Sequence, residues 1–398
     1  MRVLTVLMLL AAFGNAATFV VDGGGGADFT EIQPAIDAAA AAGDEVLVKP
    51  GEYVITAPIS FLGKAITVRS ESGAEATTLL GVGVPRVVSF ASGEPEAARL
   101  EGFTITTEWT GGGVECLNGS APTLADCRII RTSADYGAAV RVYETSGVTV
   151  LGCTIAENCA RFEGGGLYCA RADARVADSL IIDNTAGSNG SALYLWFAGD
   201  TPEFVRCTIA GNVGGACVYC AESLPEFASC ILWGNSKTAI ELICYELVPC
   251  APSFAYSCVQ GETIWPGPGN TNEDPRFCGW GAAGDVYVDA AGPESGDGSP
   301  ERPFRSFEDL AAAIGYGYSL SADSPCRGTG EAGEDMGAAL PECRTEPIDS
   351  LVVRVAAGNY PIDRFALIHR VSILGSGADQ TVLEGTVRAL QDGAVLSG

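Results

Sequence analysis

A single histidine, His369, stands in the whole chain. Nucleophiles that rely on a histidine base and multi-histidine metal sites within the repeats described below are therefore excluded by count. Chemistry must fall to carboxylates, guanidinium groups and aromatic hydroxyls. Asp183, with Glu157 one repeat before it, is the nearest approach to the paired carboxylates that glycoside hydrolysis uses. Arg141 is a candidate charge sink for a β-elimination. Tyr168 and Tyr194 beside Arg141, extended by Trp196 and Trp233, form a candidate sugar-binding platform. The competing reading of those aromatics is a surface ladder that only stabilises stacking. Cys217 and Cys220 have the spacing of a metal or redox pair, but three positions on a strand point two side chains to opposite faces. The loop 292–300, with Glu294 and Asp297, has a calcium-like composition, although acidic glycine-rich loops are usually solvated turns. No metal or cofactor is expected; Ca²⁺ is the one ion the composition would admit.

These residues are positioned by a repeat. The element Cys-x-Ile-x-x-Asn occurs as Cys153 to Asn158, Cys207 to Asn212 and, with Leu for Ile, Cys230 to Asn235. Ser179 to Asn184 substitutes Ser for Cys, and Cys127 to Thr132 substitutes Thr for Asn. The anchors 127, 153, 179, 207, 230 and 258 are separated by 26, 26, 28, 23 and 28 residues. Such a period marks a solenoid. Phe103-Thr-Ile, 24 residues before the first anchor, reads as one more copy, and each repeat carries a second apolar pair with strand spacing: Val114/Cys116, Val140/Val142, Leu167/Cys169, Leu193/Leu195, Cys217/Tyr219 and Ile240/Leu242. A third short segment precedes the next anchor. Three short strands per 23–28 residues, with no helix between them, is one rung of an all-β parallel β-helix.

The register assigns faces. Cys127, Cys153, Cys207, Cys230 and Cys258 point inward as a stack of small apolar groups. Asn158, Asn184, Asn212 and Asn235 fall where the strand must turn, and read as a structural ladder. The outward row of the second strand is Glu115, Arg141, Tyr168, Tyr194, Val218 and Glu241. Cysteines outside the ladder, Cys244/Cys250 and Cys326/Cys343, are the candidate disulfides. The total of 15 leaves at least one free thiol in a monomer.

Along the chain, residues 1–16 read as a secretory signal: one arginine, a short apolar run, then small residues. Residues 17–284 form the β-helix, with an opening module over 17–81 and rungs over about 82–260. Phe29, Ile32 and Ile36 have helical spacing, so a short helix should cap the open end. Gly23 to Gly26 lacks the lysine of a phosphate loop. Residues 285–398 repeat the opening module, with an inserted closing segment at about 315–345. This second module stops at Gly398 before any rungs, which points to a fragment or truncated product. No other apolar run is long enough to span a bilayer. A net charge of −26 argues against nucleic acid and acidic membranes as partners. A secreted or cell-surface monomer is expected.

The stretch from Asp28 to Ala39, followed by Val46 to Tyr53, resembles the N-terminal signature of right-handed parallel β-helix proteins of the pectin lyase-like superfamily, uncharacterised exported bacterial members among them. With the rungs, the resemblance covers about residues 17–258. The segment from Tyr318 to Ala338 likewise resembles the closing segment of such exported proteins. The superfamily holds lyases, hydrolases, esterases and proteins with no known chemistry, so the resemblance implies a fold more than an activity. The motifs of its methylesterases, polygalacturonase-like hydrolases and pectate lyases are absent here. The expectation is a non-catalytic β-helix that presents a long laddered face to a polysaccharide or a surface protein. The alternative is a polysaccharide lyase or glycoside hydrolase with a divergent site.

Overall fold

In the computed structural model the repeat folds as a parallel solenoid with three principal faces. The structure describes residues 16–398 except 41, 145, 199–201, 236–239, 244–250, 278–285, 294–298, 307–317, 321, 323, 340–350, 368–370, 377–380, 390–394 and 398. The expected leader, the loop carboxylates Glu294 and Asp297, Cys244, Cys250, Cys343 and His369 lie outside the described residues. The first face is a ten-stranded sheet from Thr18–Val21 to Ser253–Ala255, the second a nine-stranded sheet from Gly51–Ile55 to Cys258–Val259. The third is an eight-stranded sheet from Ile59–Ser60 to Ile240–Ile243. Every pairing within them is parallel.

Stacked identical chemistry builds the interior. On the second face Ile105, Ile129, Ile155, Ile181 and Ile209 pair in register and are buried. On the first face the inward row ends in Phe204, Phe227 and Phe254, whose rings stack at 4.8 and 4.6 Å. Trp265 closes that stack edge-on at 5.1 Å. A β-branched or aromatic residue suits such a row because each copy rests on its twin along the ladder.

Three rows of left-handed residues make the corners; one of them, Glu144, Arg171, Phe197 and Glu222 at φ 43–53°, turns the chain out of the third face. Asp126, Asp178, Arg206, Ser229 and Tyr256 have φ between 48° and 53°, and each turns the chain from the first face to the second. Arg131, Glu157 and Asp183, at φ 54°, 59° and 54°, turn it out of the second face; Gly211 and Gly234 do the same later on. Side chains rarely adopt this conformation, so each position needs support from its neighbours.

That geometry corrects the reading in two places. Tyr256 is the corner residue, so Ser257 is the last anchor: its hydroxyl accepts the Cys230 amide at 3.0 Å, and Cys258 pairs with Ile231. On the third face Val218 and Cys220 are the inward pair, aligned with Leu193 and Leu195, and Tyr219 points outward beside Tyr194. Cys217 is also buried in the interior, so it and Cys220 share one core rather than opposite faces. A one-residue slip reverses every side chain of a strand, and irregular turn lengths hide it.

The expected cap is present. The helix Ile32–Ala38 buries Ile32, Ala35 and Ile36 over the first rung. Lys64 binds the carbonyls of Ile36 and Asp37 at its C-terminal end, at 2.7 and 3.0 Å. Phe29 is not helical; it bridges Val21. The same arrangement recurs late in the chain. Phe304 bridges Val288, and the Ala290 amide meets the Tyr360 hydroxyl at 3.2 Å, as the Gly23 amide meets that of Tyr53 at 3.3 Å. Val286–Val288, Leu351–Val355, Val371–Gly375 and Val395–Ser397 form one parallel sheet there.

Between these modules, described residues of the segment 318–338 lie as a strap on the outer surface of the second face. The Ala338 amide binds the Thr208 hydroxyl at 3.1 Å, and the Gly337 amide binds the Ser229 carbonyl. Gly337 has φ 84°, and a Cβ there would fall 2.5 Å from the Thr208 hydroxyl, so only glycine permits this approach. Beneath the strap and around it, outward residues turn apolar: Leu180, Ile182 and Ile231 are buried, whereas the equivalent Arg128 and Thr154 of earlier rungs reach solvent. Among the described residues no helix is long and apolar enough to cross a membrane.

Candidate ligand-binding face

The third face carries an outward row whose register runs Ser60, Ser89, Glu115, Arg141, Tyr168, Tyr194 and Tyr219, with the backbone of Glu241 paired next in line. Tyr168 and Tyr194 stack at 5.0 Å with planes 1° apart, and Tyr194 and Tyr219 at 4.7 Å and 5°. The spacing is that of the ladder itself. Because the rings stand face to face, Tyr194 spends both of its π-faces on its neighbours, and the ladder meets solvent at edges and hydroxyls. Tyr168 and Tyr194 are each only 8% exposed.

Glycine makes that enclosure possible. Gly137, Gly164 and Gly190, with φ of 57°, 71° and 67°, precede the strands. A Cβ on any of them would lie 2.6–2.8 Å from the Cβ of Tyr168 or Tyr194. Each of these glycines stands three residues before its apolar pair, where the corner passes against a tyrosine.

A second outward row alternates large and small: Tyr143, Ala170, Trp196 and Ala221. The alanines are buried notches between aromatic ridges. The Arg141 guanidinium sits 5.3 Å from the Tyr143 ring centre, and Arg171 5.1 Å from that of Trp196. Phe197 meets Trp196 edge-on at 5.3 Å.

A short extra sheet, Ser133–Tyr136, Cys159–Glu163 and Thr185–Ala186, walls one side. Its Tyr136 touches Tyr168 edge-on at 5.7 Å, and Glu163 accepts a hydrogen bond from the Tyr194 hydroxyl. Burial pushes the Tyr168 phenol up to about 12, with Glu163 adding to it, and raises Tyr194 further. Burial also raises the Glu163 carboxyl. These phenols are hydrogen-bond donors at any ordinary pH.

Arg86 ties wall to row. It is buried, donates to the carbonyls of Tyr136 and Gly137, and lies 3.9 Å from Glu115. Burial lowers it to about 10. Glu115 also faces Arg141 at 4.0 Å and accepts the Ser89 hydroxyl at 2.9 Å. Two guanidinium groups thus share one carboxylate, and the Nε of Arg141 is buried with no hydrogen-bond partner. In a chain of net charge −26 this is a local excess of positive charge.

The remaining candidates lie elsewhere. Trp233 does not extend the platform: it is on the second face, against the strap cluster of Cys326 and Met336. Glu157 and Asp183 are corner residues in successive rungs. Glu157 pairs with Arg131 at 3.0 Å. Asp183 is buried and accepts the hydroxyl of Tyr318, on the strap, at 3.1 Å, while its second oxygen has no partner. Burial, and then Glu157, pushes the Asp183 carboxyl well above the usual range.

Inside the same corner the asparagines interlock. Asn158, Asn184 and Asn212 each donate an amide hydrogen to the side-chain oxygen of the next rung, at 2.9–3.0 Å, ending on Asn235. Each also binds the isoleucine carbonyl one rung back, at 2.8–2.9 Å. The Thr132 hydroxyl starts the chain on Asn158. Cys153 and Cys230 accept the amides of Cys127 and Cys207 at 3.4 Å. Burial raises the Cys220 thiol to about 12 and Cys217 beyond that, which makes both poor nucleophiles.

Arg86, Tyr143, Glu163 and Tyr219 were not singled out by the sequence reading. Tyr219 was recoverable by aligning Val218-x-Cys220 with Leu193-x-Leu195; the wall that brings in Glu163 was not.

Residues 95–246 match the family described as right handed beta helix region. No curated protein matches the chain. The matched span holds the tyrosine ladder, the asparagine ladder and the corner carboxylates. Fold and match together define a right-handed parallel β-helix, consistent with the pectin lyase-like type.

Proposed function

We propose that this is an exported, non-catalytic β-helix protein whose third face binds a polysaccharide or another hydroxyl-rich surface component. The observation that supports it is the aligned row of Arg141, Tyr168, Tyr194 and Tyr219, headed by an Arg141 guanidinium that shares the Glu115 carboxylate with Arg86. Successive rungs repeat every ~4.8 Å, so the row spans several sugar units. With ring faces turned to one another, recognition rests on phenol hydroxyls, the guanidinium and the Trp196 ridge. This is a polar, directional mode suited to sugar hydroxyls and to acidic groups near Arg141.

The catalytic alternative requires two carboxylates free to exchange protons with a substrate. Asp183 instead lies buried beneath Tyr318, with Glu157 engaged by Arg131. The test is a polysaccharide screen that follows binding together with reducing ends and the ultraviolet absorbance of unsaturated products. Binding without turnover, weakened tenfold or more by Arg141→Ala, is the expected result. Release of either product, lost in Asp183→Asn or Arg141→Ala, would overturn the non-catalytic reading.

A further inference from the structure

Two thiols meet where the strap crosses the last rungs. Cys258 and Cys326 are both fully buried, and form one cluster with Ile231 and Met336. The two side chains are in hydrogen-bond contact. Cys258 reaches this place because Ser257, not Cys258, takes the inward anchor position; its own side chain therefore leaves the core on the strap side. The strap presents Cys326 through a local turn. The Ser324 hydroxyl accepts the Cys326 amide at 3.1 Å, and the Cys326 carbonyl accepts the Met336 amide at 2.8 Å.

We propose that Cys258 and Cys326 form a disulfide that fastens the strap to the second face of the solenoid. The oxidant is a small-molecule disulfide such as oxidised glutathione. One protein thiolate attacks it and displaces a glutathione thiolate, leaving a mixed disulfide. The second protein thiolate attacks the protein sulfur of that intermediate and releases the other glutathione. Two protein thiols are oxidised, one external disulfide is reduced, and the two protons end on the released thiols. Both sulfurs are covered in the docked state, so the exchange runs before the strap seats or while it is lifted.

Neighbouring pairs in the cysteine ladder are a different case. Cys127/Cys153 and Cys207/Cys230 stand directly before strands already held in register, and Cys153 and Cys230 each accept a backbone amide. A bridge there would add little constraint. Cys258 and Cys326 are 68 residues apart and join two segments that otherwise meet through side chains and a few backbone bonds, so their bridge closes the larger loop. It would also hold Tyr318 over Asp183.

The experiment takes the full chain, incubated with oxidised glutathione, alkylated without reduction, digested with trypsin and sequenced by mass spectrometry. The expected product links peptide 238–276 to peptide 306–327, with fragmentation placing the bond at Cys258 rather than Cys244 or Cys250. Cleavage of the folded protein after Arg327 should slow about tenfold on oxidation, and that difference should vanish in Cys258→Ser. Recovery of Cys258 and Cys326 as alkylated free thiols would overturn the proposal. So would a bridge from Cys326 to Cys278 or Cys343.

Discussion

The outer surfaces of the second and third faces rise from the same ladder, one rung above another, yet they carry opposite chemistry. On the second face, outward Leu180, Ile182, Thr208 and Ile231 are buried, with the strap lying over the later rungs. On the third, outward Arg141, Tyr143, Tyr219 and Trp196 keep contact with solvent while packing on one another. The interior does not distinguish the two, since both rest on the same stacked isoleucines, leucines and valines. What differs is the partner that covers each surface. A solenoid fixes spacing and leaves the outward residues to record what they touch.

The asparagine corner serves both faces, so breaking it should have the largest effect. Asn184→Ala removes a buried amide that makes four bonds to Asn158, Asn212 and Ile155. It should cost about 3 kcal/mol, measured by denaturant unfolding. Next is Ile231→Lys, which places an unpaired charge under the strap. A loss of about 2–3 kcal/mol in strap docking is expected, read as tenfold or faster tryptic cleavage after Arg327. The equivalent outward change on an uncovered rung, Thr154→Lys, should stay within about 0.5 kcal/mol. If the two behave alike, the strap does not define the second face.

Tyr194→Ala opens the middle of the aromatic stack and should cost about 2 kcal/mol, with any bound polysaccharide weakened about tenfold. It should leave cleavage of the strap unchanged, which separates the faces a second time.

The smallest effects concern pH, and two buried carboxylates sharpen the comparison. Glu94, in a turn away from the strap, is pushed up by burial, but hydrogen bonds from Gly63, Ser120 and Ser92 outweigh that and leave it below the usual range. Its contribution is present above the ordinary carboxylate range and is lost as pH falls through its depressed value. Asp183, with one donor and Glu157 nearby, is raised instead. Its contribution is full below the ordinary range and is lost as pH rises toward its raised value. Glu94→Gln should therefore flatten the acid limb of the stability profile, and Asp183→Asn the limb on the rising side.

The three-strand rung was legible because inward residues repeat their chemistry: isoleucine above isoleucine, asparagine above asparagine. The outward row was legible from Glu115 through Tyr194, where successive copies stand 26 or 27 residues apart. Where the spacing falls to 23, the pattern assigns Tyr219 inward and Val218 outward, the reverse of the structure; at the last rung it makes Cys258 the anchor in place of Ser257. Period two carries no memory of register across an irregular turn. The strap left a signal in the apolar outward residues Leu180, Ile182 and Ile231. Its partner did not follow, because Tyr318 lies 135 residues from the Asp183 it covers. Trp233 and Trp196 share a residue type but not a strand: Trp233 lies in the Cys230–Asn235 anchor element and Trp196 beside the second apolar pair of its rung, so the repeat itself separates their faces.

The measurement closest to the central claim is hydrogen–deuterium exchange of the full chain with and without a polysaccharide selected by the screen. The account predicts protection confined to Val140–Tyr143, Leu167–Ala170, Leu193–Trp196 and Val218–Ala221, fading in Arg141→Ala. Protection on the strap or on the outer second face, with the tyrosine ladder unchanged, would contradict it.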